Sequence, residues 1–169
     1  VLATKCGHPV VGSSSEPWTA RTITETLEGS LTRLKTDYVD LLQLHSCGVD
    51  VLERGEVIET LMEAKRAGKT RFVGYSGDNE AALWAVESGH FDTLQTSFNV
   101  ADQHARTRLF GPAKAQGMGI IIKRPIANGA WGVENSPTAG LKYNIHYADE
   151  YLGRAQVMGA MGPIPNAPD

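Results

Sequence analysis

Six polar side chains close or punctuate short apolar runs at intervals along the chain. Lys5 follows Val1-Leu-Ala-Thr4, His45 closes the run that begins at Tyr38, and Ser76 closes the one from Thr70. Gln95 lies in the run Thr93–Phe98, and Lys123 and Arg124 follow Gly119–Ile122. If these runs are parallel strands, their polar ends share one edge of a sheet, which is where α/β enzymes keep their chemistry. Taken singly, each residue has a plain structural reading: Lys5 is a solvated lysine, His45 a satisfied interior histidine, and Ser76 or Gln95 a partner for a loop.

Two other constellations can be weighed on spacing. Cys6, His8, His45 and Cys47 have the residue types of a tetrahedral zinc site, but each pair has one-residue spacing, unlike common structural sites. Neither cysteine belongs to a C-x-x-C pair, so both are read as thiols and no metal is expected. Gly68-Lys69-Thr70 resembles the end of a phosphate-binding loop, but Glu63 stands where that motif needs glycine, and a strand rather than a helix follows.

The elements that must position these residues alternate between β-branched runs and amphipathic helices. A strand Val1–Thr4 ends at Lys5-Cys6-Gly7, and a Gly, Ser and Pro-rich loop runs to Pro17. A helix carries Ile23, Leu27, Leu31 and Leu34 on one face, with Thr22 or Thr24 as its cap. Strand Tyr38–His45, apolar apart from Asp40 and Gln43, has the composition of a parallel strand covered on both faces. A helix over Val57–Ala67 buries Val57, Ile58, Leu61 and Met62 and stops at Gly68. Strand Thr70–Tyr75, a helix through Ala82, Leu83 and Val86, strand Thr93–Phe98, a helix near Ala105–Gln116 and strand Gly119–Lys123 follow. A last helical pattern spans about Tyr147–Met161 before Gly162-Pro163.

Five strands with intervening helices predict a parallel α/β sheet. The polar strand ends, and the lack of a G-x-G-x-x-G turn after the first strand, favour a (β/α)8 TIM barrel over a doubly wound sheet. A barrel needs about 250 residues, so 169 residues with about five βα units predict one incomplete barrel domain over 1–169. Val1 inside a strand and Asp169 in a Pro-rich loop are read as cuts. Net charge is -3 with no basic block, which argues against nucleic acid and anionic membranes. No run approaches the ~20 apolar residues of a membrane span, and the cytoplasm is the expected compartment.

The segments Val1–Gly7, Ser30–Leu34 and Asp37-Tyr-Val-Asp-Leu-Leu-Gln-Leu-His45 resemble the third strand, third helix and fourth strand of aldo-keto reductases. Gly68–Ser76, Leu94–Asn99 and Gly119–Ile126 are similar to that family's fifth, sixth and seventh strands. The resemblance implies an NADP- or NAD-dependent oxidoreductase that reduces a small aldehyde or ketone to an alcohol. It also implies a tetrad of Asp, Tyr, Lys and His in which the tyrosine gives a proton to the carbonyl. Lys5 and His45 match the Lys and His. A tyrosine of pKa ~10 is a weak acid at neutral pH unless a cation stabilises its phenolate, and Lys5 is that cation in this reading. His45 orients the carbonyl oxygen.

Ser76 and Gln95 match the positions that hold the nicotinamide carboxamide. Two departures stand out. Gly77 and Asp78 follow Ser76 where well-known members have Asn, and Lys123-Arg124-Pro125 replaces an aromatic that stacks on the nicotinamide, so altered ring packing or an anion contact from Arg124 is expected. The tetrad Asp and Tyr and the motif for the adenosine phosphate are expected beyond the cuts, leaving the chain alone inactive. The alternative is a non-enzymatic dinucleotide-binding barrel, a sensor or scaffold subunit, that keeps Ser76 and Gln95 without the tetrad. Nothing in the sequence fixes the oligomeric state.

Overall fold

The computed structural model describes residues 1–130 and 147–160. Strands β1 (Ala3–Cys6), β2 (Val39–His45), β3 (Thr70–Ser76), β4 (Thr93–Ser97) and β5 (Gly119–Lys123) form one parallel sheet in chain order. Among the described residues the sheet is not closed, since β1 and β5 pair only with their inner neighbours. The architecture is the parallel α/β arrangement of an incomplete (β/α)8 barrel. No described helix is long and apolar enough to cross a membrane.

Helices α1 (Ala20–Leu34), α3 (Glu56–Arg66) and α4 (Asn79–Glu87) pack on one face of the sheet, joined by the shorter α5 (His104–Arg108) and α6 (Phe110–Ala115). Leu42, Leu44, Val73, Tyr75 and Leu94 face them and are essentially sealed from solvent. Alternation along the strands therefore sends Gln43, His45, Gly74, Ser76 and Gln95 to the other, concave face. Full burial of a Leu or Val contributes roughly 1.5–3 kcal/mol, so this layer fixes the strand faces and with them the direction of the polar residues.

The expected boundaries hold to within a few residues, with informative exceptions. β1 begins at Ala3, later than expected, and reaches Cys6, so Lys5 lies inside the ladder opposite Gln43. The cap of α1 is Thr19, not Thr22 or Thr24: its backbone is extended and its hydroxyl accepts from the Thr22 N–H. Thr22 and Thr24 instead donate their hydroxyls to the carbonyls of Glu16 and Ala20. Ile23, Leu27 and Leu31 are buried, but Leu34 on the last turn is exposed. Ala64 completes the buried stripe of α3, with Met62 at its margin. Gly68 has φ +73°, the left-handed conformation that glycine adopts without a Cβ penalty.

A short helix α2 (Val49–Glu53) follows β2 where none was expected. The helix expected near Ala105–Gln116 is two helices broken at Leu109, with Pro112 in the first turn of the second, where its missing N–H costs nothing. A 3-10 turn Ala127–Gly129 follows β5, and Tyr151 of α7 (Tyr147–Ala160) packs against Ala127 and Ala130. The end of the last predicted helix at Met161 and Gly162-Pro163, and the Pro-rich tail to Asp169, lie outside the described residues.

Candidate active site

His45 ends β2, and the turn beyond it is tied from three directions. The Trp18 indole Nε1 donates to the His45 carbonyl at 2.8 Å, the Ser46 N–H donates to Ser76 O at 2.8 Å, and the Tyr75 hydroxyl donates to Cys47 O at 2.6 Å. Ser46 takes the left-handed conformation (φ +57°), which lets the chain leave the strand sharply. The His45 imidazole meets the His8 ring edge to face at 5.1 Å, and His8 in turn meets Trp18 at 5.2 Å. Burial, and then the charges of Lys5, His8, Lys123 and Arg124, push the His45 pKa down to about 4. At neutral pH it is an uncharged imidazole with one N–H to donate.

Lys5 sits on the adjacent strand. Its register partner is Gln43, two residues before His45, so all three occupy the same face. Thr4, on the other face, exchanges a hydrogen bond with Ser30 of α1 at 3.0 Å and fixes that alternation. The Lys5 pKa is lowered, first by partial loss of hydration and then by the charges of Lys123 and Arg124. Those two lie at the far end of the sheet. In a flat sheet four spacings of about 4.8 Å would put β5 roughly 19 Å from β1, where screening leaves little interaction. A sheet curled about its concave face brings the charges nearer.

Ser76 ends β3 in register with His45 on one side and Gln95 on the other. It is fully buried, and its hydroxyl donates to Gln95 Oε1 at 2.9 Å. That bond assigns the Gln95 amide nitrogen as the group left to donate elsewhere, and leaves the serine oxygen able to accept.

Lys123 and Arg124 are drawn together by Asp78. Their side chains are 18% and 17% exposed, so neither is simply a solvated surface cation. Lys123 Nζ and Arg124 reach Asp78 Oδ2 at 2.9 and 3.3 Å, and Arg124 also donates to Ser97 Oγ. Asp78 Oδ1 accepts from the Ser97 N–H at 2.8 Å and the Thr96 hydroxyl at 3.0 Å. Burial alone would raise the Asp78 pKa, but the Lys123 ammonium and the Ser97 N–H outweigh it and hold the carboxyl at about 2. The rim is thus electropositive, with Lys5, Lys123 and Arg124 set against one carboxylate.

Of the six residues singled out in the sequence, Lys5, His45, Ser76, Gln95 and Lys123 sit on strands of one sheet, within two residues of their C-terminal ends, and Arg124 directly follows β5. Sequence reasoning did not foresee the part played by Trp18, His8, Tyr75, Ser97 and Asp78. Asp78 carried a signal, as the departure after Ser76, but its partners lie on β4 and β5 and no local pattern connects them. Of the four residues weighed as zinc ligands, only the two histidine rings meet. Both cysteines are buried thiols, Cys6 donating toward Gln43 O at 3.6 Å, and burial pushes each up to about 12. Among the described residues no three His, Cys, Asp or Glu side chains are grouped to hold a metal ion.

Comparisons with known proteins bear on the family of the chain. The chain is 30% identical over 145 residues to L-galactose dehydrogenase of Arabidopsis thaliana, covering 81% of this chain and 44% of the relative. It is 36% identical over 109 residues to methylglyoxal reductase DkgB of Salmonella typhi, covering 61% and 40%. The chain thus spans less than half the length of these relatives. Among solved structures, an aldo-keto reductase of Bacillus halodurans in its holo form superposes with a TM-score of 0.70 at 25% identity, covering 98% of this chain and 55% of that one. The model of the aldo/keto reductase family matches residues 1–149, and the chain belongs to that family.

Proposed function

We propose that the whole protein is an NADP(H)- or NAD(H)-dependent oxidoreductase that reduces a small aldehyde or ketone to its alcohol. The observation that supports this reading best is the conjunction of Lys5, neutral His45 and the Ser76–Gln95 pair on one face, at one end of a parallel sheet. L-galactose dehydrogenase and methylglyoxal reductase, among the relatives, carry names that denote carbonyl–alcohol chemistry on small molecules. The substrate proposed here is of that class.

The residues present fit a nicotinamide. A carboxamide oxygen needs a donor, and the half-buried Gln95 offers its amide N–H, oriented by the buried Ser76 hydroxyl that donates to its Oε1. Bound there, the reduced nicotinamide supplies the hydride. The chain's own residues do the rest. His45, neutral because burial and surrounding cations hold its pKa at about 4, donates its N–H to the substrate oxygen and strengthens that bond as negative charge develops. Lys5, as a cation, stabilises the phenolate of a neighbouring tyrosine in this reading, which makes that tyrosine a competent proton donor.

None of the described tyrosines with a placed side chain takes that part. Tyr75 faces the helices and gives its hydroxyl to Cys47 O, Tyr38 lies at the opposite end of β2, and Tyr151 reaches Asp102 from α7. In this reading the donor comes from residues of the whole protein outside those described.

The test is the whole protein with NADPH or NADH and a panel of small aldehydes and ketones. Cofactor oxidation matched by alcohol formation is the expected result. Cofactor binding with no turnover on any carbonyl would instead support the sensor or scaffold reading and overturn this one.

A further inference from the structure

Asp78 takes no part in the carbonyl chemistry proposed for Lys5 and His45, although its carboxylate is the junction of three strand ends. Lys123 and Arg124 are consecutive, and consecutive residues of a strand normally point to opposite faces. Here Arg124 adopts φ +57°, rare for a residue with a side chain, and both cations meet the same oxygen, Asp78 Oδ2. The other oxygen is held by the Ser97 N–H and the Thr96 hydroxyl of β4. One carboxylate oxygen is thus held by β4 alone, and the other takes both cations at the end of β5 together with a longer hydrogen bond from the Ser97 hydroxyl at 3.3 Å. An ordinary surface ion pair has neither the fixed anchor nor the shared partner.

We propose that Asp78 is a positioning residue of this site: it holds Lys123 and Arg124 as a pair on the rim and offsets part of their charge, so setting the potential in which Lys5 and His45 act. The proposal deepens the reductase reading and rests on it for its kinetic consequence. The charged and titratable groups around the concave face are Lys5 on β1, His8 in the following loop, His45 on β2, Asp78 after β3, and Lys123 and Arg124 at the end of β5. β4 contributes only the neutral Thr93, Gln95 and Ser97 to that face. Among these described groups Asp78 is the anion, and Lys123 and Arg124 already depress both Lys5 and His45.

The sign follows directly. Asp78→Asn removes the anion, raises the positive potential and makes protons leave neighbouring groups at lower pH. Lys123→Met removes a cation and does the opposite. The double variant returns the charge balance to its starting value. A unit charge at roughly 10 Å in a partly solvated site moves a titration by about half to one pH unit.

Two measurements on the whole protein test this. In the cofactor-free protein, NMR titration of the His45 imidazole is expected to move up in Lys123→Met, down in Asp78→Asn, and back toward the parent in the double variant. In the kinetics, the alkaline limb of kcat/KM is expected to move the same way. A purely structural Asp78 would lower activity or melting temperature and leave both titrations where they are, which overturns the proposal. Should Asp78→Asn fail to fold, as judged by circular dichroism, Lys123→Met alone carries the test, and an unmoved His45 titration there overturns it. A parent protein that reduces no carbonyl would sink the reductase reading instead, and the NMR titrations would still decide whether Asp78 sets the potential.

Discussion

At neutral pH the His45 ring is uncharged, and that single property has two consequences. The first concerns stability. The folded state holds the His45 pKa at about 4, below the ordinary value of 6.5, so between these pH values the unfolded chain binds the proton and the folded one does not. Stability from this residue is therefore present above pH 6.5 and lost as pH falls toward 4. Because the ring is only partly buried, solvent screening trims the effect to about 1–2 kcal/mol. Urea denaturation at pH 7 and pH 4.5 should show the parent losing that much more than His45→Gln; equal losses would place the ring in solvent. The second concerns catalysis. In the whole protein Lys5→Met is expected to lower turnover by about 10²- to 10⁴-fold with cofactor affinity little changed, because Lys5 acts on the acidity of the donor. His45→Gln should change turnover and substrate affinity together. Steady-state kinetics beside fluorescence titration of NADPH separate the two roles, and undiminished turnover in Lys5→Met would make it a surface lysine only.

The elements hold these side chains through close approaches that leave no room for additions. Gly74 lies on β3 between Gln43 and Thr93 on the concave face. A Cβ there would come within 2.2 Å of Thr93 Oγ1 and 3.2 Å of the Thr93 carbonyl. Gly74→Ala is expected to destabilise the fold by about 1–3 kcal/mol, the range for overpacking a filled site. The clash is mainly with a side chain, so Thr93→Ala should recover part of the loss when combined with it. A double-mutant cycle by chemical denaturation measures that coupling, and strict additivity would mean that the two strands do not approach as described. The turn after β2 is held in the same spirit by Tyr75, whose hydroxyl is pushed above its ordinary pKa by burial, and so remains a donor to Cys47 O.

For the whole molecule, five strands stand in chain order with both outer strands unpaired on one side, and the chain spans less than half of the curated relatives described above. Lys5 and His45 are present on the concave face, but the described tyrosines Tyr38, Tyr75 and Tyr151 are all directed elsewhere. The 169-residue chain by itself is therefore expected to oxidise NADPH in the presence of an activated aldehyde no faster than buffer does. Robust turnover would show that another group of this chain gives the proton.

The alternation of β-branched runs with amphipathic helices and glycine stops was legible without coordinates, because helix and strand periods are local properties of the chain. The same locality made the polar strand ends at Lys5, His45, Ser76 and Lys123 visible as a set. It did not reach the cap at Thr19 or the break at Leu109, where competing hydrogen bonds within a few residues decide the outcome. Tertiary structure alone settled what surrounds each polar residue. His8 and Trp18 meet His45 because the loop after β1 folds back over the end of β2, a contact between residues 27 or more positions apart. Asp78 gathers Thr96, Ser97, Lys123 and Arg124 because the register of three parallel strands, fixed by burial of their opposite face, aligns their ends. Sequence supplies the residue types and the period. The charge and protonation of each depend on distances across strands, which only the packed sheet defines.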